Sequence, residues 1–409
     1  MLRDILFQNN QRLLSEIERL LNNLIQGRIA IPAELNLYFN WLLNYGKILL
    51  CDTRDNLTLL GYEEDSLLPE VLSKTQNTYR QVRWFDEELI EPVCRTRSSD
   101  RLCLMILNWL HANHSKTKNL PLAFSDGDFA CKPVIPHMSL YFIPPLAQQC
   151  LMYLPLLYHE FGHILYACHE QEMNELVGEL QEEISELLQP ASQRCDRFAK
   201  EQAKERKKIV EVWHEWIQEL FCDAVGFQIG GAAFIRAFSG YLQMLGRNHF
   251  YVPKNKLANR AHPVSWLRVK ILAVRARQNS HDDLAQELED TWSAIAYEMG
   301  ITEDYYGYYD DELLPSIEQT IEDMLIETEP YCHSSQQPSS KSFSHGFNPI
   351  ELLNRAWQNF LDEPSGYDRW EKLVIQELLQ TNNDSSKPEL NSNGFSLIGT
   401  KYNILIALL

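Results

Sequence analysis

The first third of the chain alternates apolar and polar residues with the period of an α-helix. Leucines and isoleucines recur every three or four residues in NQRLLSEIERLLNNLI, from Asn10 to Ile25, and this spacing collects them on one helical face. Pro32 suits the first turn of a second helix, and RTRSSD at 95–100 is typical of a loop. This part of the chain is therefore predicted to be mainly helical.

The pattern changes between Leu120 and Pro145, where short apolar runs stand beside turn residues. The segment PLAFSDGDFACKPVIPHMSLYFIPP has the pair Asp126-Gly127 between two β-prone runs. Such a pair between apolar runs predicts a β-hairpin. A further strand is predicted near Met138 to Ile143.

Helical spacing resumes at Leu146 and continues to about Gln278, with interruptions near Pro190 and between 246 and 263. After Gln278 the helical pattern continues but is interrupted by the acidic and aromatic run EDYYGYYDDE at 303–312. Its tyrosines are interpreted as the side chains of an aromatic packing turn.

These changes of pattern predict a mainly α fold with a small β element, which belongs to the α+β class. The division is a helical region over 1–115, a core of helices and strands over 116–280, and a C-terminal helical region over 281–409. Two polar stretches in the last region, 333–346 and 381–394, are predicted to be loops.

Charge and cysteine usage narrow the classes of function. The net charge of −19 argues against nucleic-acid binding and against docking on an anionic membrane. No basic-then-apolar leader is visible, and no apolar run approaches the roughly 20 residues that span a bilayer. The nine cysteines are scattered and form no CxxC pair, which is typical of reduced thiols. We therefore expect a soluble, cytoplasmic protein.

The segment YHEFGHILYACHE contains the pentapeptide HExxH, from His159 through Glu160 to His163. Residues four apart project from the same side of a helix, so both histidines can bind one zinc ion. Glu160 lies beside them, where a carboxylate can take a proton from the attacking water. The apolar flanks predict that this helix is buried, and buried histidines and glutamate need a polar partner such as a metal.

Three residues compete to be the third metal ligand. His169 has a suitable spacing, but Tyr166 stands where a glycine would end the helix; if the helix continues, His169 points away. Glu219 and Asp223 share one face of the apolar helix WIQELFCDAVGF, where carboxylates need a cation, and Asp223 can bind the outer nitrogen of a ligand histidine. Cys222 lies off that face and is interpreted as a packing thiol.

Two further histidines, His111 and His114, occur in HANHSK. They have helical spacing at a polar helix end. We expect both to be exposed to solvent rather than to bind a metal.

The order of motifs resembles the gluzincin metallopeptidases, in particular the prenyl-protein endopeptidase family and its bacterial membrane-protease relatives. HExxH is followed by ExxxD and then by AHPVSWLRVKIL, in which His262, Pro263 and Arg268 match that family's His-Pro and arginine positions. The resemblance covers about a third of the chain and implies a zincin-like core over 116–280. It implies Glu219 as the third ligand, Asp223 behind a ligand histidine, and His262 and Arg268 near the cleft.

The expected function is that of a soluble zinc-dependent endopeptidase acting on a protein or peptide substrate. Glu160 is the expected general base and His262 the first candidate donor to the developing oxyanion, with His249 and Tyr251 as weaker candidates. The strand at Met138–Ile143 is expected to line the cleft and pair with the substrate backbone.

Two alternatives remain open from the sequence. One is a zinc-bearing regulatory or interaction module without catalysis, although such a module would not need Glu160. The other is a metalloprotease resembling the soluble HExxH proteases that cleave phage-type repressors, in which an asparagine usually stands at the position of Asp223.

Overall fold

The structure is a computed structural model that describes residues 1–27, 31–62, 64–134, 138–189, 197–332 and 347–384. These residues are mostly helical with one small sheet, so the α+β class is confirmed. The predicted loop at 333–346 lies outside the described residues, as does most of the one at 381–394.

The N-terminal helices are α1 (Leu2–Gly27), α2 (Asn36–Gly61), α3 (Leu68–Trp84), α4 (Glu91–Arg95) and α5 (Arg101–Ala112), with a π-helical turn at Phe85–Ile90. The strands are β1 (Leu122–Asp126), β2 (Ala130–Val134) and β3 (Met138–Ile143). The middle helices are α6 (Leu157–Cys168), α7 (Glu170–Leu187), α8 (Arg197–Gly230), α9 (Ala232–Met244), α10 (Lys254–Leu257) and α11 (Ser265–Gln278). The last described helices are α12 (Asp282–Glu298), α13 (Leu314–Thr328), α14 (Pro349–Asp362) and α15 (Pro364–Asp384).

One hydrophobic cluster runs through the described residues from Leu13 on α1 to Leu378 on α15. Helices α6 and α8 lie within it, and the largest buried side chains of α8 are Trp213, Trp216 and Phe221. The aromatic run at 303–312 joins the same cluster through its buried tyrosines, as the sequence predicts. The cluster includes residues from all three predicted regions, and the domain division stays a prediction.

The sheet order differs from the predicted hairpin. β3 lies in the centre, pairing in parallel with β1 and antiparallel with β2, so β1 and β2 are not neighbours. The chain does reverse direction after Asp126, as predicted. A turn between two strands does not require that they pair with each other, however, and here β3 lies between β1 and β2. β1 and β3 are almost wholly buried, whereas β2 contains exposed Lys132 and the residue Pro133, which has no N–H to donate and so suits an edge strand.

His111 and His114 are buried, so the prediction that both are exposed is wrong. The turn after α5 packs against β3 and the end of α13, and this packing covers them. One ring nitrogen of His111 is 2.8 Å from the Tyr141 hydroxyl and the other is 3.2 Å from the Thr117 carbonyl oxygen. His114 Nε2 is 2.6 Å from the Thr328 carbonyl oxygen. Among the described residues, neither histidine belongs to a group of side chains that could hold a metal ion.

His111 makes the stability of the fold depend on pH. Burial lowers its pKa to about 4, below the ordinary value of about 6.5. The unfolded chain therefore takes up a proton first as the pH falls, and stability is lost between about pH 7 and pH 4, by about 3 kcal/mol for this group. Denaturant unfolding with a chelator present should show this loss, and His111→Gln should have a shallower dependence. Equal slopes in both proteins would contradict the assignment.

Among the described residues, no helix combines the length and the apolar character that crossing a membrane requires.

Candidate metal centre

The close approach of α6 and α8 builds the site. A Cβ atom added to Gly162 would lie 2.8 Å from the Cα atom of Cys222, so a glycine at this position lets the two helices touch. Cys222 is fully buried in this contact, as expected of a packing thiol. The contact brings Glu219, one turn earlier on α8, opposite His159 and His163 of α6.

These three side chains form the one group among the described residues that can hold a metal ion. Their ligand atoms all lie within 4.8 Å of one another. His159 Nε2 is 3.4 Å from Glu219 Oε2, and His163 Nε2 is 3.5 Å from Glu219 Oε1. A tetrahedral ion with bonds of about 2.0–2.1 Å has ligand-to-ligand edges of roughly 3.3–3.4 Å. The two observed separations are close to such an edge, each to a different Glu219 oxygen, so the three side chains lie near enough to one another to hold a small divalent cation.

Glu219 also supplies an independent reason for a cation. Its Oε2 atom is buried and makes no hydrogen bond within the part of the chain that the structure describes, although Arg268 Nη2 lies 3.2 Å away in poor geometry. Burial raises the pKa of this carboxyl, but Arg268 and then His159 outweigh burial and hold it below its usual range. A buried carboxylate oxygen without a hydrogen bond needs a further polar partner, and a metal ion would supply one.

Asp223 and Arg268 hold the ligands from behind. Asp223 Oδ1 is 2.9 Å from His159 Nδ1, although the contact lacks hydrogen-bond geometry; the carboxylate thus lies beside Nδ1, and Nε2 is the nitrogen that faces Glu219. Arg268 binds both Asp223 oxygens, at 2.8 and 2.7 Å, and lies over the Phe238 ring. Burial alone would lower the pKa of His159, but Asp223 and then Glu219 raise it to about 10. The same negative field that favours a proton there favours a metal cation.

Glu160 lies beside the cluster and is 6% exposed. Burial raises its pKa to about 7. The Cys131 thiol on β2 lies next to this carboxylate and partly offsets the effect of burial on its pKa. Burial, and then the charges of Glu160 and Glu219, raise the pKa of that thiol well above its usual range, which keeps it protonated.

No protein-family model matches the chain, and neither does any curated protein or any solved structure. The function must therefore be inferred from the geometry of the site itself.

Of the three candidate donors to the oxyanion, only His262 lies beside the metal ligands. His262 is exposed on the open side of the cluster, with Nε2 3.4 Å from Glu219 Oε1. His249 contacts the hydroxyl of Ser265 at 2.8 Å, and the Tyr251 hydroxyl accepts a hydrogen bond from Tyr306. His262 thus adjoins the metal ligands, while His249 and Tyr251 have partners of their own.

His169 lies outside the cluster, but for a reason other than the expected one. Helix α6 does not continue through it: the helix ends at Cys168 and His169 joins α6 to α7. Its Nδ1 atom is 2.9 Å from Lys116 Nζ and 3.4 Å from Glu327 Oε1. The break in the helix turns the ring toward α13 and away from His163.

Sequence reasoning missed three side chains that the fold brings to the site. Cys131 comes from β2, while Phe238 and Tyr241 come from α9. The Phe238 ring stacks on His159 at 6.0 Å. Burial, and then the charges of Asp128 and Glu160, raise the pKa of the Tyr241 phenol, which lies near the proposed base. Nothing local in the sequence marks these residues, because their role depends on which strand and helix pack against α6.

The prediction that β3 pairs with the substrate backbone is also wrong. Both edges of β3 are already hydrogen-bonded, to β1 and to β2. β2 is an edge strand of the sheet, and it carries Cys131, which contacts Glu160. The edge next to the metal cluster therefore belongs to β2.

Proposed function

We propose that this chain is a zinc-dependent endopeptidase that hydrolyses peptide bonds of a protein substrate. The observation that carries the proposal is the convergence of His159, His163 and Glu219, whose ligand atoms lie within 4.8 Å of one another, with buried Glu160 beside them. Two imidazoles and one carboxylate are the donor set of many catalytic zinc sites, which keep a further position open. A structural zinc site would not require the additional carboxylate of Glu160.

The proposed core is zincin-like and of the gluzincin type. Helix α6 supplies two ligands and the base, α8 supplies the third ligand, and β2 flanks the cleft. The arrangement agrees with the order of motifs in the sequence, from HExxH through Glu219 and Asp223 to His262 and Arg268.

A bound zinc ion would supply Lewis-acid activation of a water molecule and of the scissile carbonyl group. Glu160 takes the proton from the attacking water and passes it to the leaving amine. His262 donates from its ring to the developing oxyanion, since it stands on the open side of the cluster. Asp223 and Arg268 keep His159 and Glu219 in one orientation during turnover.

The substrate is proposed to bind as an extended segment along β2. An edge strand has unpaired backbone groups, and a peptide that adds to it gains main-chain hydrogen bonds. Because β2 also carries Cys131, this pairing would place a peptide bond next to Glu160.

Metal removal tests the proposed function. Zinc-loaded protein should cleave members of a mixed peptide library, a chelator should stop the cleavage, and added zinc should restore it. Mass spectrometry of the products identifies the bonds that are cut. Cleavage that continues unchanged after the metal has been removed would contradict the proposal, as would a zinc-loaded, folded chain that cuts nothing.

A further inference from the structure

A run of cations leads away from the metal centre in a chain whose net charge is −19. The segment 246–262, which ends at His262, contains no aspartate or glutamate. Its cations are Arg247, Lys254, Lys256 and Arg260. The His262 end of this segment adjoins the open side of the metal cluster. A segment that has only basic charged residues, in so acidic a chain, suggests a role in attracting negatively charged groups.

Two contacts show that this segment runs along α8. The indole of Trp216 donates to the Arg260 carbonyl oxygen at 3.0 Å, close to the level of Glu219. Further along, Lys254 forms an ion pair with Glu205. At 1.5 Å per residue, Glu205 lies roughly 21 Å from Glu219 along the helix axis. The segment therefore extends from the metal centre toward the N-terminal end of α8.

At the end of the segment that is distant from the metal centre, its exposed lysines lie near exposed lysines of α8. Lys204 and Lys208 flank Glu205 on the helix surface and are exposed, as is Lys256. None of these three has an ion-pair partner among the residues that the structure describes. Glu205 is already paired with Lys254, and Asp304 is the other acidic group that acts on Lys254. The surface formed by Lys204, Lys208, Lys254, Lys256 and Arg260 is here called the basic track. Exposed Glu201 and Glu215 of α8 lie along it with Glu205, so five cations face three carboxylates and positive charge remains in surplus.

We propose that the basic track binds an acidic segment of the protein substrate next to the bond that is cut. This proposal rests on the proposed function, because it places the track as an extension of the cleft. A track of roughly 21 Å matches about six residues of extended peptide at about 3.3 Å each. A long polyanion such as nucleic acid would overrun the track and meet the acidic remainder of the surface.

Binding can be measured separately from cleavage with the Glu160→Gln variant loaded with zinc. The probes are two fluorescein-labelled peptides of about 12 residues that share their apolar residues; one has six consecutive Glu and Asp residues and the other has Gln and Asn in their place. The acidic peptide should bind at least about tenfold more tightly at about 0.05 M salt. The difference should shrink at about 0.5 M salt, since screening shortens the range of the charges.

Matched charge reversals locate the effect. In the zinc-loaded Glu160→Gln protein, the additional substitutions Lys208→Glu and Lys256→Glu should remove the preference for the acidic peptide. The control adds Lys47→Glu and Lys372→Glu, which reverse the same number of exposed charges on α2 and α15, and should keep it. Equal losses in both proteins would show a net-charge effect and would overturn the proposal. Tighter binding of a single-stranded DNA of similar length, lost in the Lys208 and Lys256 variant, would overturn it in favour of nucleic acid.

The same experiment separates the two proposals. If the acidic peptide binds through the basic track but zinc-loaded wild-type protein cuts no peptide, the endopeptidase function fails and the binding surface stands. If the wild type cuts peptides without regard to acidic flanks and the binding preference is absent, the basic track proposal fails and the endopeptidase function stands.

Discussion

The Glu160→Gln variant is expected to lose peptide hydrolysis while it still binds the metal. Glu160 is not one of the three proposed ligands, so its replacement by a neutral amide leaves His159, His163 and Glu219 in place. The amide cannot accept the proton of the attacking water. General-base catalysis contributes roughly 10²- to 10⁴-fold, so kcat/KM should fall by that factor with zinc content unchanged.

A matched control distinguishes the loss of the Glu160 carboxylate from the general effect of removing one negative charge. Glu170→Gln makes the same change at an exposed residue of α7 and should retain wild-type kcat/KM. Steady-state kinetics on a peptide found in the library screen measure both proteins. A Glu160→Gln protein that cleaves as fast as the wild type would remove Glu160 from the mechanism.

The Glu219→Ala variant is expected to lose the metal itself. Replacing groups that merely support ligand histidines typically costs 10–100-fold in metal affinity, so removing a direct ligand should cost at least about 100-fold. The variant would also lose cleavage, because no activated water would form. Competition with a coloured chelator measures the dissociation constant for zinc in each protein.

Two controls distinguish a ligand from a structural residue. Glu215→Ala removes an exposed carboxylate one turn earlier on α8 and should bind zinc as the wild type does. His169→Ala should also keep zinc, since its ring contacts Lys116 and Glu327. If His169→Ala lost zinc and Glu219→Ala kept it, His169 would be the third ligand in place of Glu219.

The grouping of His159, His163 and Glu219 is the part of the candidate site that the sequence predicted and the structure contains, and the reason is local. Residues four apart on a helix share a face whatever the rest of the chain does. That rule alone puts His159 beside His163 and Glu219 beside Asp223, and the apolar flanks of both helices indicate burial. The structure brings these two faces together and adds Arg268 behind them.

The failed predictions concern features that tertiary packing decides. Neither the sheet order nor the burial of His111 and His114 can be deduced from local pattern, because each depends on a segment distant in the chain. The end of α6 at Cys168 is a similar case: no glycine or proline marks it, and His169 is held by side chains of two other elements. The thiol of Cys131 reaches Glu160 only because β2 packs at the edge of the sheet.

Zinc content of the purified, folded chain is the most direct test of the metal site. The protein is incubated with zinc, freed of excess ion, and analysed by mass spectrometry for metal per chain beside Glu219→Ala. The arrangement of His159, His163 and Glu219 predicts one zinc ion per wild-type chain and a large loss in the variant. A folded wild-type chain that retains no zinc would contradict the metal site and, with it, the proposed endopeptidase function.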